Sequence, residues 1–232
     1  MFFYGIDLSY LILVLPAVIF AFWAQANVKG TFTKYAKIAS KRGMTGSDAA
    51  RRILDANGLT HVRIAQVKGD LTDHFNPSDN TVYLSETVHS RANAAAVGVA
   101  AHEAGHAVQY AVGYTPMKVR AAIIPITNIG SNIALPLVLL GILLSFPTLA
   151  YLGVIAFGLS TLFQLVTLPV EFNASSRAME ALTSSGQLDD DELKSARKVL
   201  TAAALTYVAA LAVSLANLIR IFLIAKRSDR RR

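Results

Sequence analysis

Four long apolar runs constrain this chain more than any other feature: Leu8 to Ala26, Ala121 to Ser145, Leu149 to Val170 and Ala202 to Ile219. Each approaches or exceeds the ~20 residues a helix needs to cross a hydrocarbon core, where every backbone polar group must be satisfied within the segment itself. The runs therefore predict a mainly α membrane protein with four transmembrane helices. Composition agrees, because 53% of the 232 residues are hydrophobic and soluble domains usually stay below half. What remains suffices for one small aqueous domain between the first two spans and a short segment between the last two. The division expected is a transmembrane anchor over 1–26, a small aqueous domain over 27–120, a transmembrane hairpin over 121–170, a helical segment over 171–201, and a last transmembrane helix with a basic tail over 202–232.

The anchor is expected to be retained. Ala24-Gln25-Ala26 resembles a small-residue cleavage site, but the preceding "MFFYGIDLSY" has no Lys or Arg and carries Asp7, so the basic start of a secretory signal is missing. The net charge of +7 invites a nucleic-acid reading, yet 5 of the 22 basic residues lie in the terminal "KRSDRRR" and others flank apolar spans. That placement fits a membrane surface and lipid headgroups, and no nucleic-acid partner is expected. Lys and Arg number 12 between the first two spans, 4 after the third and none in the hairpin turn, which puts the domain in the cytoplasm. Four crossings then place the basic tail outside, against the same rule. Cysteine is absent, so any metal must be held by His, Asp or Glu.

Within the aqueous region, Ser47 before "DAARRILDANG" reads as a helix N-cap and Gly58 as its stop. "HVRIAQV" and "TVYLS" alternate around the turn-rich "NPSDN", which predicts a small sheet with Thr81 to Ser85 as one strand. An alanine-rich stretch without proline predicts one helix from Ser90 to Val112. "SFPTLA" is short enough for a tight hairpin, so whatever follows Val170 returns to the side from which Ala121 departs. "EFNASSRAMEALTSSG" reads as a helix closed by Gly186, and "LDDDELKSARKVL" as one that runs into the last span, acids first and bases later as the helix dipole favours.

The chemistry sits in the alanine-rich helix. His102-Glu103-Ala104-Gly105-His106 fits H-E-x-x-H. Residues i and i+4 put both imidazoles on one helix face, able to bind one ion, while Glu103 points to the adjoining flank and can hold a water there without ligating the metal. Zinc is the natural occupant, one per chain, because two imidazoles and a carboxylate with one open position form a catalytic site. With five His and five Glu, chance placement of this pattern is about 0.002 per chain. The alanine and valine neighbours argue against histidines that are merely solvated. Glu171 is the expected third ligand, brought back by the hairpin, with Asp70, Asp73 and Glu86 as runners-up. His74 is a candidate donor to a substrate oxyanion. Thr81, Val82 and Tyr83 form an extended edge that could take a peptide by strand addition. Arg177 could bind a substrate carboxylate, support the groups around Glu171, or meet lipid phosphate.

The chain resembles the YugP-like family of bacterial neutral zinc membrane metallopeptidases. The resemblance rests on "AAHEAGHAVQ", "LPVEFNASSRA", "LTDHFNP" followed by "TVYLS", and "ARKVLTAAALTYVAA", and covers nearly the whole chain. It implies a zincin-like α+β domain with a zinc-binding helix, a zinc peptidase activity, and a plasma-membrane location. "EFNAS" is also similar to the E-F-x-A-D segment of HtpX-type and CAAX-prenyl-type gluzincins, which implies that Glu171 is the third zinc ligand. Ser175 stands where those relatives carry Asp, and a serine would orient a ligand histidine more weakly. The expected activity is a membrane-anchored zinc endopeptidase acting on peptides or membrane-protein segments, either alone, as a homo-oligomer or with membrane-protein partners. Two rivals are an intramembrane zinc protease and a zinc-stabilised scaffold without activity.

Overall fold

A computed structural model describes residues 7–186 and 188–229; the last three arginines of the basic tail lie outside the described residues. The chain is mostly helical, with a small three-stranded sheet. The helices are α1 (Leu15–Tyr35), α2 (Gly46–Ala56), α3 (Ala94–Ala111), α4 (Thr115–Leu143), α5 (Pro147–Ser184) and α6 (Asp190–Asp229), and the strands β1 (Arg63–Val67), β2 (His74–Asn76) and β3 (Thr81–Ser85). A π-helical turn, Tyr10–Val14, leads into α1. Among the described residues, four helical stretches are long and apolar enough to cross a membrane: Tyr10–Tyr35, α4, α5 and α6. The helix α3 is not among them.

Two compact units are formed by non-contiguous parts of the chain. The first comprises the described parts of Met1–Ala24, Val119–Leu168 and Thr206–Arg232. Large apolar side chains such as Ile19, Phe22, Ile129, Leu139 and Ile155 are exposed there, the pattern of helices whose solvent is lipid. Small residues set the close approaches: a Cβ on Gly153 would stand 2.7 Å from the Ala134 carbonyl oxygen and one on Gly130 2.9 Å from that of Ala156, so glycine lets α4 and α5 touch backbone to backbone. Polar groups inside the unit pair with one another, Thr161 with Ser214 at 2.9 Å and Arg220 with Asp7 at 3.3 Å.

The second unit comprises Gln25–Lys118 and Pro169–Leu205. Here α2 begins with a capping box at Thr45, two residues before the Ser47 expected from sequence. Thr45 Oγ1 accepts from the Asp48 amide at 3.2 Å, and Asp48 Oδ2 accepts from the Thr45 amide at 3.0 Å. Two orphan donors of the first turn are thereby satisfied. The helix buries Ala49, Ala50, Ile53 and Leu54 and is followed, past its cap Asn57, by Gly58, whose φ of +73° suits glycine. From its other face Arg51 donates to the Val62 and Leu59 carbonyls at 2.7 and 2.8 Å, tying the helix to the start of β1.

The sheet order is β1-β3-β2. β1 runs parallel to β3, with Arg63 opposite Thr81 and Val67 opposite Ser85; β2 runs antiparallel, with His74 opposite Tyr83 and Asn76 opposite Thr81. β3 is therefore the central strand, which corrects the reading of Thr81, Val82 and Tyr83 as an edge. Its backbone groups are taken on both sides, and Thr81 and Val82 are buried, so a peptide cannot add to it. The free edges belong to β1 and β2.

Helix α3 starts at Ala94 rather than Ser90, because Asn93 Oδ1 accepts from the Ala96 amide at 2.9 Å and caps it. It is buried along nearly its whole length. Its small residues admit neighbours at short range, Ala196 beside Gly98 and the backbone of Ala174 beside Gly105. The segment expected as a separate helix after the third span is the continuation of α5, which runs unbroken to Ser184. Likewise α6 runs from an acidic first turn into the last apolar span, as the sequence led one to expect. Its start is anchored by Glu192, buried, which accepts from the Asp189 amide and from the Lys41 amide at 2.9 and 3.0 Å.

Candidate metal centre

The helical spacing of His102 and His106 brings their rings together edge to face, 4.7 Å between centroids. Opposite them stands Glu171 of α5. Its Oε2 lies 3.2 Å from His102 Nε2 and 3.5 Å from His106 Nε2, and the three ligand atoms fall within 4.8 Å of one another. This is the only group among the described residues in which three His, Asp or Glu side chains converge so closely. Glu171 is 2% exposed, and Glu103 and His106 are 8% exposed. Two carboxylates buried to this degree are costly without a cation between or beside them.

The electrostatics say the same. Burial alone would disfavour a charged His106, but the Glu171 hydrogen bond and the charges of Glu103 and Glu171 outweigh it and raise the pKa above the ordinary imidazole value. The pocket thus favours positive charge at that position. Asp73 is also raised above the usual carboxylate range, by burial first and by the charge of Glu103, against hydrogen bonds from Ser85 that act downward. Glu103 therefore exerts its charge on His106 and on Asp73, the residue before β2, alike.

The donor set suits zinc. Two ligands each about 2.1 Å from a tetrahedral ion stand about 3.4 Å apart, and the observed separations from Glu171 to the two imidazoles are 3.2 and 3.5 Å. The far sides of both rings are held. Ser175 Oγ lies 3.1 Å from His102 Nδ1, and Gln109 Oε1 lies 2.9 Å from His106 Nδ1. Gln109, fully buried, in turn donates to the Val170 carbonyl at 2.8 Å and to Asn173 Oδ1 at 2.9 Å, and Asn173 accepts from Arg177 Nε at 2.8 Å. Arg177 thus supports the ground around Glu171 at two removes from the histidine. It also lines a cavity of about 480 Å³ with Arg52, Gly105 and Val108. A second cavity of about 740 Å³, walled by Phe172, Met179, Leu200 and Leu205, reaches Ser175.

The other sequence candidates are not part of this three-residue group. Asp70 and Glu86 are exposed. Asp73 is spent on Ser85, accepting from its amide at 2.7 Å and its hydroxyl at 2.9 Å. His74 lies on β2, stacked on Tyr83 at 4.9 Å, with Nδ1 2.9 Å from the Thr72 carbonyl. Tyr83 donates to Asp79 at 2.9 Å. Gln109 and Asn173 were not singled out from the sequence. For Gln109 a signal existed, a polar residue three places after His106 in an otherwise apolar run; for Asn173 none did.

Comparison with known proteins points the same way. No solved structure matches the chain. A curated relative from Bacillus subtilis (strain 168), named "Putative membrane protease YugP", is 46% identical over 215 residues, which cover 93% of this chain and 96% of the relative. A family model described as "Putative neutral zinc metallopeptidase" matches residues 10–226. With that match spanning the apolar helices and the His102, His106 and Glu171 cluster alike, the chain belongs to the neutral zinc metallopeptidase family so described.

Proposed function

We propose that the protein is a multi-pass zinc metallo-endopeptidase of the bacterial plasma membrane, its catalytic unit on the cytoplasmic side. In this reading His102, His106 and Glu171 hold one zinc ion and Glu103 is the general base. The observation that carries it is the convergence of three ligand atoms from two helices within 4.8 Å, beside a buried glutamate. When bound, zinc would polarise the scissile carbonyl and lower the pKa of a water molecule.

The chain's own residues do the rest. Glu103, adjacent to His102 on the helix, accepts a proton from the water whose oxygen bonds to the carbonyl carbon. It then passes that proton to the amide nitrogen as the C–N bond breaks, leaving a free carboxyl end and a free amino end. Gln109 and Ser175 hold the imidazoles in place so that both Nε2 atoms face Glu171. The substrates are peptides or membrane-protein segments. The intramembrane alternative is less favoured because α3, which carries both histidines, is not among the helices apolar and long enough to cross a membrane.

Glu103→Gln tests the assignment. The variant should retain its metal, since the ligand set is intact, and lose cleavage of an unstructured model peptide by at least ~10²-fold, the lower end of general acid–base contributions. Cleavage equal to the parent's would remove Glu103 from the mechanism.

A further inference from the structure

The two imidazoles are held on their far sides by different chemistry. Ser175 Oγ, 3.1 Å from His102 Nδ1, is a hydroxyl that both donates and accepts, so it suits either neutral tautomer. The partner of His106 has no such freedom. The Val170 carbonyl oxygen only accepts, so the Gln109 atom 2.8 Å from it is the amide nitrogen. Arg177 only donates, so the Asn173 atom 2.8 Å from its Nε is Oδ1. The Gln109 atom 2.9 Å from that oxygen must again be the nitrogen.

Both amide hydrogens of Gln109 are thereby used, and the atom left facing His106 Nδ1 at 2.9 Å is a carbonyl oxygen, an acceptor only. His106 Nδ1 must then carry hydrogen. A neutral ring in that state has its lone pair on Nε2, the atom that faces Glu171. Reversing the Gln109 amide would set donor against donor and acceptor against acceptor at a fully buried position, where no water can repair the mismatch.

We infer that Gln109 is a positioning residue that locks His106 in the Nδ1–H tautomer, its own orientation dictated by the Val170 carbonyl and by Arg177 acting through Asn173, while Ser175 leaves His102 free to take either tautomer. The inference rests on the proposed role of His106 as a metal ligand. Its consequence is an ordered division between the two histidines. Once its ring is neutral, His106 has its lone pair on Nε2 without any change of tautomer on binding. His102 without metal can keep its hydrogen on Nε2 toward Glu171 and accept from Ser175. On binding, the hydrogen appears on Nδ1 by exchange with solvent and the Ser175 hydroxyl turns to accept, with no net gain or loss of protons.

The test uses full-length protein with ¹⁵N-labelled histidine, stripped of metal by a chelator in detergent micelles and held at alkaline pH so that the rings are neutral. Long-range ¹H–¹⁵N correlation reads the tautomers, with signals assigned through His102→Asn and His106→Asn. His106 should be Nδ1–H both before and after zinc is added, whereas His102 should show Nε2–H or a mixture and convert on zinc addition. Gln109→Met should release His106 into a mixture and weaken zinc binding about 10- to 100-fold in chelator competition. Asn173→Asp, which still accepts from both Gln109 and Arg177, should keep the parent's tautomer. A metal-free parent with His106 as Nε2–H or as a mixture overturns the inference without needing any variant to fold. So does a folded Gln109→Met with an unchanged tautomer. A locked His106 in a protein that binds zinc but cleaves no peptide supports the lock and counts against the peptidase reading, so the two fail separately.

Discussion

Gly105→Ala is the substitution that joins packing to chemistry most directly. Gly105 lies between the two histidines, where a Cβ would stand 2.7 Å from the Ala174 carbonyl oxygen and 3.4 and 3.5 Å from that residue's carbonyl carbon and Cα. Carbon and oxygen in ordinary contact stay about 3.3–3.6 Å apart, so α3 and α5 must separate by roughly 0.7 Å. The contact is with backbone, which cannot turn away as a side chain would. Overpacking of this kind costs about 1–3 kcal/mol, against a gain of about 1 kcal/mol from alanine's better helix propensity. The net loss of stability is small, about 0–2 kcal/mol. The effect on the site is larger, because Glu171 and Ser175 flank Ala174 on α5 while His102 and His106 flank Gly105 on α3. A sub-ångström separation pulls one ligand away from the other two. Zinc affinity in chelator competition should fall by at least an order of magnitude while the thermal midpoint of the metal-free protein shifts by a few degrees. Gly98→Ala is the control: its Cβ would meet the Ala196 methyl of α6 at 3.2 Å, not the helix that carries Glu171, so zinc affinity should hold. Gly105→Ala with the parent's zinc affinity would show that the helix spacing does not set the site.

Four further outcomes are expected. Thr45→Ala should cost about 1 kcal/mol by removing the cap of α2, read as a loss in thermal midpoint. The hydrogen bonds from Thr45 hold Asp48 below its ordinary carboxylate pKa of 3.8, so its contribution is complete above that value and disappears as pH falls through the lower folded one; the difference between the parent and Asp48→Asn should therefore be constant near neutrality and vanish in acid. Ser175→Asp should bind zinc more tightly than the parent and Ser175→Ala more weakly, because a carboxylate would fix the His102 Nδ1–H that a hydroxyl leaves open. Cysteines introduced at Thr60 and Ser228 should react with a membrane-impermeant thiol reagent from opposite sides, as four crossings require; labelling of both from one side would mean a different number of spans.

The apolar helices were legible in the sequence because length and hydropathy alone decide whether a segment can cross lipid. So was the pairing of His102 with His106, because helical periodicity puts i and i+4 on one face. Glu171 was reached by following the chain through the hairpin and, separately, by the resemblance of "EFNAS" to the gluzincin segment, and the structure places it opposite the histidine pair. What the sequence concealed depends on groups far apart in the chain. Pattern located β3 correctly, but alternation does not reveal which neighbours a strand has, and the parallel pairing of β1 with β3 makes it central. Ser47 was the expected cap, yet Thr45 caps the helix because Asp48 closes the box from three residues on. Gln109 was not singled out because its partners, Val170 and Asn173, lie more than sixty residues away.

Zinc content is the most direct measure of the central claim. Purified protein should hold one zinc ion per chain, Glu103→Gln should hold the same, and Glu171→Ala should hold little or none, since the cluster then keeps only two ligands. Equal zinc in Glu171→Ala and the parent would contradict the proposed metal centre.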